Sequence, residues 1–147
     1  GGTYYQPNLV AQTISADGKV TATAPKVVRT NVVSAKIAPE LEGLMEYVVQ
    51  GHLADGFTYL KFPANYMVGG KTGTAQIADP AGGYYSDKFN GTYVGFVGGD
   101  KPQYVIIVRA NTPGISGYAG SVAAQPIFAS LAHMLIDNFN VTPTSGS

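Results

Sequence analysis

Cysteine is absent from the chain, which excludes disulfides and thiolate metal sites and is compatible with an exported, oxidising setting. Charge is scarce as well: nine Lys or Arg balance nine Asp or Glu, and charged residues make up only 12% of the chain. Such a chain offers no basic field for nucleic acid and no polybasic patch for a membrane surface, so no nucleic-acid partner is expected. No apolar run approaches the roughly 20 residues that cross a bilayer. No charged, then apolar, then small-residue signal opens the chain either. Any membrane anchor is therefore expected elsewhere. His52 and His133 stand far apart with no HExxH pattern, so neither a metal nor a cofactor is expected. The first residues, Gly1, Gly2 and Thr3, include no Met and are read as a cut or artificial end.

What is present is a globular composition. With 147 residues and 45% hydrophobic content, the chain suffices for one domain that buries most of its apolar surface. Residues 3–10 form an extended segment, and Asp17 with Gly18 turns the chain into residues 19–24, which predicts a hairpin. Residues 27–33 are β-branched and strand-like. From Pro39 the pattern becomes helical: Glu40 and Glu42 near the positive end, apolar Leu41, Leu44, Met45, Val48 and Val49 at helical spacing, and Gly51 as the stop. Glu40, Glu42 and Glu46 form its solvated face. Residues 52–64 are a connector with His52 on its surface. Residues 79–91 are a linker whose Tyr84, Tyr85 and Phe89 pack at the rim of a pocket. Residues 93–97 and 104–110 are apolar on both alternations, which predicts strands buried on both faces. Gly114, Gly117 and Gly120 loosen the chain before a last helix that starts near Ser121 or, as Pro126 favours, near Gln125. Its apolar face is Ile127, Phe128, Leu131, Met134 and Leu135.

The stretch at residues 67–77, MVGGKTGTAQI, carries the chemistry. Val68 and Ile77 give β-favouring ends, so it reads as a strand, the first of three in an antiparallel meander. A glycine inside a strand loses packing, and the usual compensation is the close approach of a ligand or another backbone, so Gly73 is expected to have a bound partner. Lys71 as a point charge and Thr72 and Thr74 as hydroxyl donors suit an anion.

The KTG at residues 71–73, followed by Thr74, Ala75 and Gln76, resembles the third signature of the penicillin-binding proteins, the D,D-transpeptidases that cross-link peptidoglycan. The segments GGTYYQPNLV, PELEGLMEYVVQG, GGKTGTAQ, GTYVGFVGGD, YVIIVRANTP and AAQPIFASLAHML occur in the order found in the C-terminal part of class B members. The resemblance spans nearly the whole chain. It implies an α+β fold, an antiparallel sheet with a C-terminal helix packed on it, as part of the penicillin-binding and serine β-lactamase-like transpeptidase fold. Residues 1–141 would form the C-terminal part of the domain and residues 142–147 a flexible tail.

By the same resemblance, a complete domain acylates its serine on the penultimate D-alanine of a stem peptide, and a β-lactam mimics that substrate. Lys71 matches the lysine that assists proton movement and carboxylate binding. Thr72 and Thr74 match carboxylate-binding hydroxyls, and the backbone N–H of Thr74 matches the second oxyanion donor. Gly73 and Ala75 match positions along which the substrate lies as an added strand. Gln76 receives no role. The resemblance also implies the outer face of the bacterial cytoplasmic membrane, periplasmic or extracellular.

The family's other two signatures, SxxK and SxN, do not occur. Ser34 is followed by Lys36, one residue too close, and Ser15, Ser86, Ser116, Ser121 and Ser130 fit neither pattern. The nucleophile is expected from an upstream part of the same domain, and this chain alone is expected to be inactive. Two other readings compete, of which the first stays open and the second fails on its residues. A non-catalytic sensor or scaffold module would keep the fold without the chemistry. A phosphate-binding loop at Gly70, Lys71 and Thr72 requires glycine at position 65, where Asn65 stands, and a helix after the threonine.

Overall fold

A computed structural model describes residues 2–114 and 120–146. Ser116 and Gly117 lie outside the described residues. The chain divides into two compact units, Gly1–Leu41 and Glu42–Ser147.

The first unit holds two small antiparallel pairs. Strand β1 (Tyr4–Tyr5) pairs with β4 (Val27–Arg29), and β2 (Gln12–Ile14) pairs with β3 (Val20–Ala22). The hairpin turns at Asp17 and Gly18 as expected, with Gly18 at φ 82°, a conformation that glycine adopts without penalty. Its first arm is β2, however, and not residues 3–10. Pro7 lacks an N–H for a ladder, and Asn8 bends the chain by accepting from Val10 N at 3.1 Å and donating to Val10 O at 2.7 Å. The segment before this bend is thereby free to pair with β4.

Helix α1 (Ile37–Ala54) starts two residues before Pro39, because Ser34 satisfies its first donors. Ile37 N reaches Ser34 O at 3.1 Å and Ser34 Oγ at 3.2 Å, and Ala38 N reaches Ser34 O at 3.0 Å, which is how a capping residue relieves a helix end. The helix runs through Gly51 and stops at Gly56. There, Gly56 N donates to Leu53 O at 3.1 Å and Phe57 N to His52 O at 3.1 Å, with Gly56 at φ 99°, the bond pair of a Schellman ending. Val49 is buried, whereas Leu41 and Leu44 are exposed, so the apolar face is narrower than its spacing predicts. Burial pushes the Glu46 carboxyl above the usual glutamate range, helped by the charge of Glu42 one turn earlier. A raised folded pKa means that this carboxyl costs stability once ionised, as pH rises through the folded value, and costs nothing below the unfolded value of about 4.3. Glu46→Gln is expected to stabilise the protein by a few tenths of a kcal/mol at pH 7 and to match the parent at pH 3, read from thermal unfolding at both pH values.

The core of the second unit is a meander of β5 (Met67–Ala78), β6 (Tyr84–Gly98) and β7 (Pro102–Asn111), antiparallel and in the order β5-β6-β7. Helices α2 (Gly120–Ala123) and α3 (Gln125–Asn138) follow, with Pro126 in the first turn of α3. Helix α3 crosses the sheet, and Phe128 packs against Tyr93 with ring centroids 4.5 Å apart and the rings tilted by 39°. Around them lie Val68, Val97, Val108, Ala124, Ala132 and Val141. Burying a Phe or Val side chain fully is worth about 1.5–3 kcal/mol, so this cluster is what fixes α3 on the sheet. Phe128, Leu131 and Leu135 face the core as expected, but Ile127 and Met134 are exposed, and Ala129 and Ala132 take the buried places.

Three further expectations change. The linker is short: β6 begins at Tyr84, its pairing with β5 reaching Ala78↔Tyr84, because a ladder that continues satisfies backbone groups whatever the side chains. Gly82 and Gly83, at φ 113° and 77°, make the reversal. Strand β7 is buried on one face only, with Val108 8% exposed but Val105 69% and Ile107 74%. And residues 142–145 are tied to the sheet's end. Thr142 exchanges bonds with the Gln103 amide at 2.8 and 3.0 Å, Thr144 N donates to Asn65 O at 2.9 Å, and Ser145 N donates to Asp100 Oδ1 at 3.1 Å.

Candidate functional site

Strand β5 is an edge strand among the described residues, and its ladder with β6 pairs Lys71↔Val94, Thr72↔Tyr93, Gly73↔Thr92, Thr74↔Gly91 and Ala75↔Asn90. Side chains alternate along it. Thr72 and Thr74 share the face on which α2 and α3 pack; Lys71, Gly73 and Ala75 share the other.

Lys71 nonetheless reaches Thr72. Its stem rounds the open edge, and Nζ donates to Thr72 O at 3.0 Å and to Thr72 Oγ1 at 2.9 Å. Because the Thr72 carbonyl points to the open edge, strand alternation gives Thr74, two residues on, the same direction for its N–H and C=O. Among the described residues no carboxylate pairs with Lys71, so the ammonium keeps its charge for a ligand. Thr74 Oγ1 accepts from Gly120 N at 3.1 Å. Both hydroxyls thus have an acceptor position filled and an O–H left to donate. One cation and two hydroxyls able to donate thus lie along an open strand edge, an arrangement whose chemistry suits an anion.

Gly73 does have a close neighbour, and it belongs to the chain itself. A Cβ there would lie 2.4 Å from Thr92 Oγ1. Gly70 is constrained in the same way: a Cβ would lie 2.3 Å from the Tyr93 ring and 2.6 Å from its hydroxyl. Burial pushes the Tyr93 phenol up, with Gln125 beside it acting in the opposite direction.

Behind the strand lies a polar group that spacing in the sequence conceals. Gln125, fully buried, accepts from Tyr59 Oη at 3.2 Å and meets His52 Nδ1 at 2.7 Å through its amide nitrogen. His52 is therefore part of α1 and half-buried, not on a loop surface. His133 Nε2 lies 3.1 Å from Tyr59 O, and its ring stacks on Phe62. The two histidines brace α1, the 3-10 turn Thr58–Leu60 and α3, in separate contacts. Among the described residues no group of three or more His, Cys, Asp or Glu is placed to hold a metal. Nor is any helix among them long and apolar enough to cross a membrane. After Thr72 the strand runs on to Ala78, so the helix that a phosphate-binding loop needs is replaced by β structure.

The penicillin binding protein transpeptidase domain family matches residues 1–133. Penicillin-binding protein PbpB of Mycolicibacterium smegmatis is 35% identical over 95% of this chain and 22% of its own length. The probable peptidoglycan D,D-transpeptidase PenA of Neisseria flavescens is 32% identical over 84% of this chain and 29% of its own. In structure, penicillin binding protein 3 of Mycobacterium tuberculosis, complexed with ampicillin, superposes with a TM-score of 0.77 at 30% identity, covering 99% of this chain and 33% of that one. The chain thus spans between about a fifth and a third of these three proteins. The α+β arrangement is that of their transpeptidase fold. The chain belongs to the penicillin-binding protein transpeptidase family, as part of a class B transpeptidase domain.

Proposed function

We propose that this chain is the C-terminal portion of a D,D-transpeptidase domain that cross-links peptidoglycan stem peptides by serine acyl transfer and is acylated by β-lactams. The observation that carries the reading is the convergence of the Lys71 ammonium with the Thr72 and Thr74 hydroxyls, both turned into donors, on the open edge of β5. The substrate or antibiotic carboxylate binds the two hydroxyls. Its acyl chain lies along Gly73 and Ala75 as an added strand. The Thr74 N–H donates to the developing oxyanion, an interaction worth about 2.7–4 kcal/mol of barrier in a typical acyl-transfer site. Lys71 holds its charge beside the serine of SxN and helps move the proton.

The nucleophile comes from the upstream part of the same domain, which carries SxxK and SxN. The uncovered apolar residues on the Lys71 face, Val94 at 40%, Val105 at 69% and Ile107 at 74% exposed, support a partner of this kind, because a contiguous apolar patch marks an interaction surface. The assembled domain acts outside the cytoplasmic membrane, with its anchor in another part of the protein. Fluorescent penicillin labelling tests the division of labour. The complete domain is expected to retain the label through denaturing electrophoresis and this chain alone to take none; stable labelling of the chain alone would contradict the assignment of the nucleophile.

A further inference from the structure

We infer that Gly120 is a positioning residue for the carboxylate subsite, acting through the Thr74 hydroxyl; this rests on the role proposed for Thr74 above. Two features carry it. The Gly120 N–H donates to Thr74 Oγ1 at 3.1 Å. And Gly120 lies so close to the sheet that a Cβ would stand 2.4 Å from Thr92 O, 2.5 Å from Gly73 O and 3.1 Å from Gly73 N. These are backbone atoms of one paired position in the ladder, Gly73↔Thr92, and they cannot swing aside as a side chain does. Only a residue without a side chain brings its N–H within reach of Thr74 at this place.

The chemical consequence follows from what a hydroxyl can do. A free threonine hydroxyl on an exposed edge samples several rotamers and both donor and acceptor roles. With one lone pair of Oγ1 held by the Gly120 N–H, the oxygen is fixed and its proton points away from Gly120, leaving donation to an anion as its open role. Part of the ordering cost of binding is removed before the ligand arrives. Gly120 thus pre-organises the site from 46 residues away in sequence without touching the ligand.

The test is a double-mutant cycle in the complete domain, read as the second-order rate of acylation by nitrocefin, which carries the carboxylate, and by its neutral methyl ester. Gly120→Ala is expected to slow acylation by nitrocefin roughly tenfold where Thr74 is present and less than twofold in a Thr74→Val background, as loss of one hydrogen bond predicts. The ester is expected to change little in either. Equal slowing in both backgrounds, or of acid and ester alike, overturns the clamp, since a general packing defect does not depend on the Thr74 hydroxyl. If Thr74→Val itself leaves nitrocefin acylation unchanged, the role proposed for Thr74 fails and the clamp with it; if Thr74→Val slows the reaction but the cycle shows no coupling, the clamp alone fails. Should Gly120→Ala not fold, amide hydrogen exchange at Gly120 decides. Protection is expected to fall in Thr74→Val and to be kept in Thr74→Ser, whereas equal protection in both overturns the inference.

Discussion

Lys71→Ala in the complete domain is expected to lower the rate of β-lactam acylation by about 10²–10⁴-fold, the range over which a positioned proton-transfer group acts. The ammonium sits at the open edge of β5, 2.9 Å from the Thr72 hydroxyl, and no carboxylate among the described residues neutralises it. Under the proposed function, removing it takes away the charge that would attract the substrate carboxylate, and it frees the Thr72 hydroxyl from its bond to Nζ. Stability should barely move, since Lys71 is exposed and a surface substitution away from packing is usually within about 0.5 kcal/mol. Stopped-flow acylation with a chromogenic cephalosporin, beside a thermal unfolding curve, separates the two effects. An unchanged acylation rate in a folded variant would remove Lys71 from the chemistry.

The second large effect is on folding. Gly95→Ala is expected to destabilise the domain by about 3 kcal/mol, the upper part of the range for overpacking. A Cβ at residue 95 would lie 2.5 Å from the Phe128 ring and 2.6 Å from Gly69 O. Turning the ring relieves the first contact and drives it from its place on Tyr93. Nothing relieves the second, because Gly69 is held in the β5 ladder opposite Phe96. The smaller freedom of an alanine in the unfolded chain returns only about 0.4–1 kcal/mol. Gly51→Ala is the matched control. Gly51 lies inside α1, and a Cβ there has no neighbour within 4 Å, so the same substitution should stabilise by roughly 0.5–1 kcal/mol. Melting temperatures that move in opposite directions for the two variants support this account of the core; a Gly95→Ala domain as stable as the parent contradicts it.

The KTG strand was legible because its signal is local: β-favouring ends, adjacent lysine and threonine, and an interior glycine all lie within residues 67–77. The α1 helix was legible for the same reason, but its end was not. Gly51 and Gly56 look alike as stops, and only the bonds back from Gly56 and Phe57 to Leu53 and His52 choose between them. One-sided burial of β7 is signalled only at its end, where Arg109 shares the exposed alternation with Val105 and Ile107; residues 104–108 are apolar throughout, and alternation there carries no contrast. The interior glycine at residue 73 points to a bound partner, whereas the close neighbours in the structure are Thr92, across the ladder, and Gly120, near the start of the last helices. Contacts of that kind depend on how the meander and α2 come together, and no local pattern encodes them. The same holds for Gln125, whose buried amide joins His52 and Tyr59. In the sequence it is simply the residue before a helix proline.

The measurement that bears most directly on the central claim is a crystal structure of the complete domain acylated by a penicillin. The account predicts the penicillin carboxylate within hydrogen-bond distance of the Thr72 and Thr74 hydroxyls, the acyl oxygen at the Thr74 N–H, and the acyl side chain running along the β5 edge past Ala75. A covalently bound penicillin whose carboxylate lies away from both hydroxyls, with Lys71 still folded onto Thr72, would contradict it.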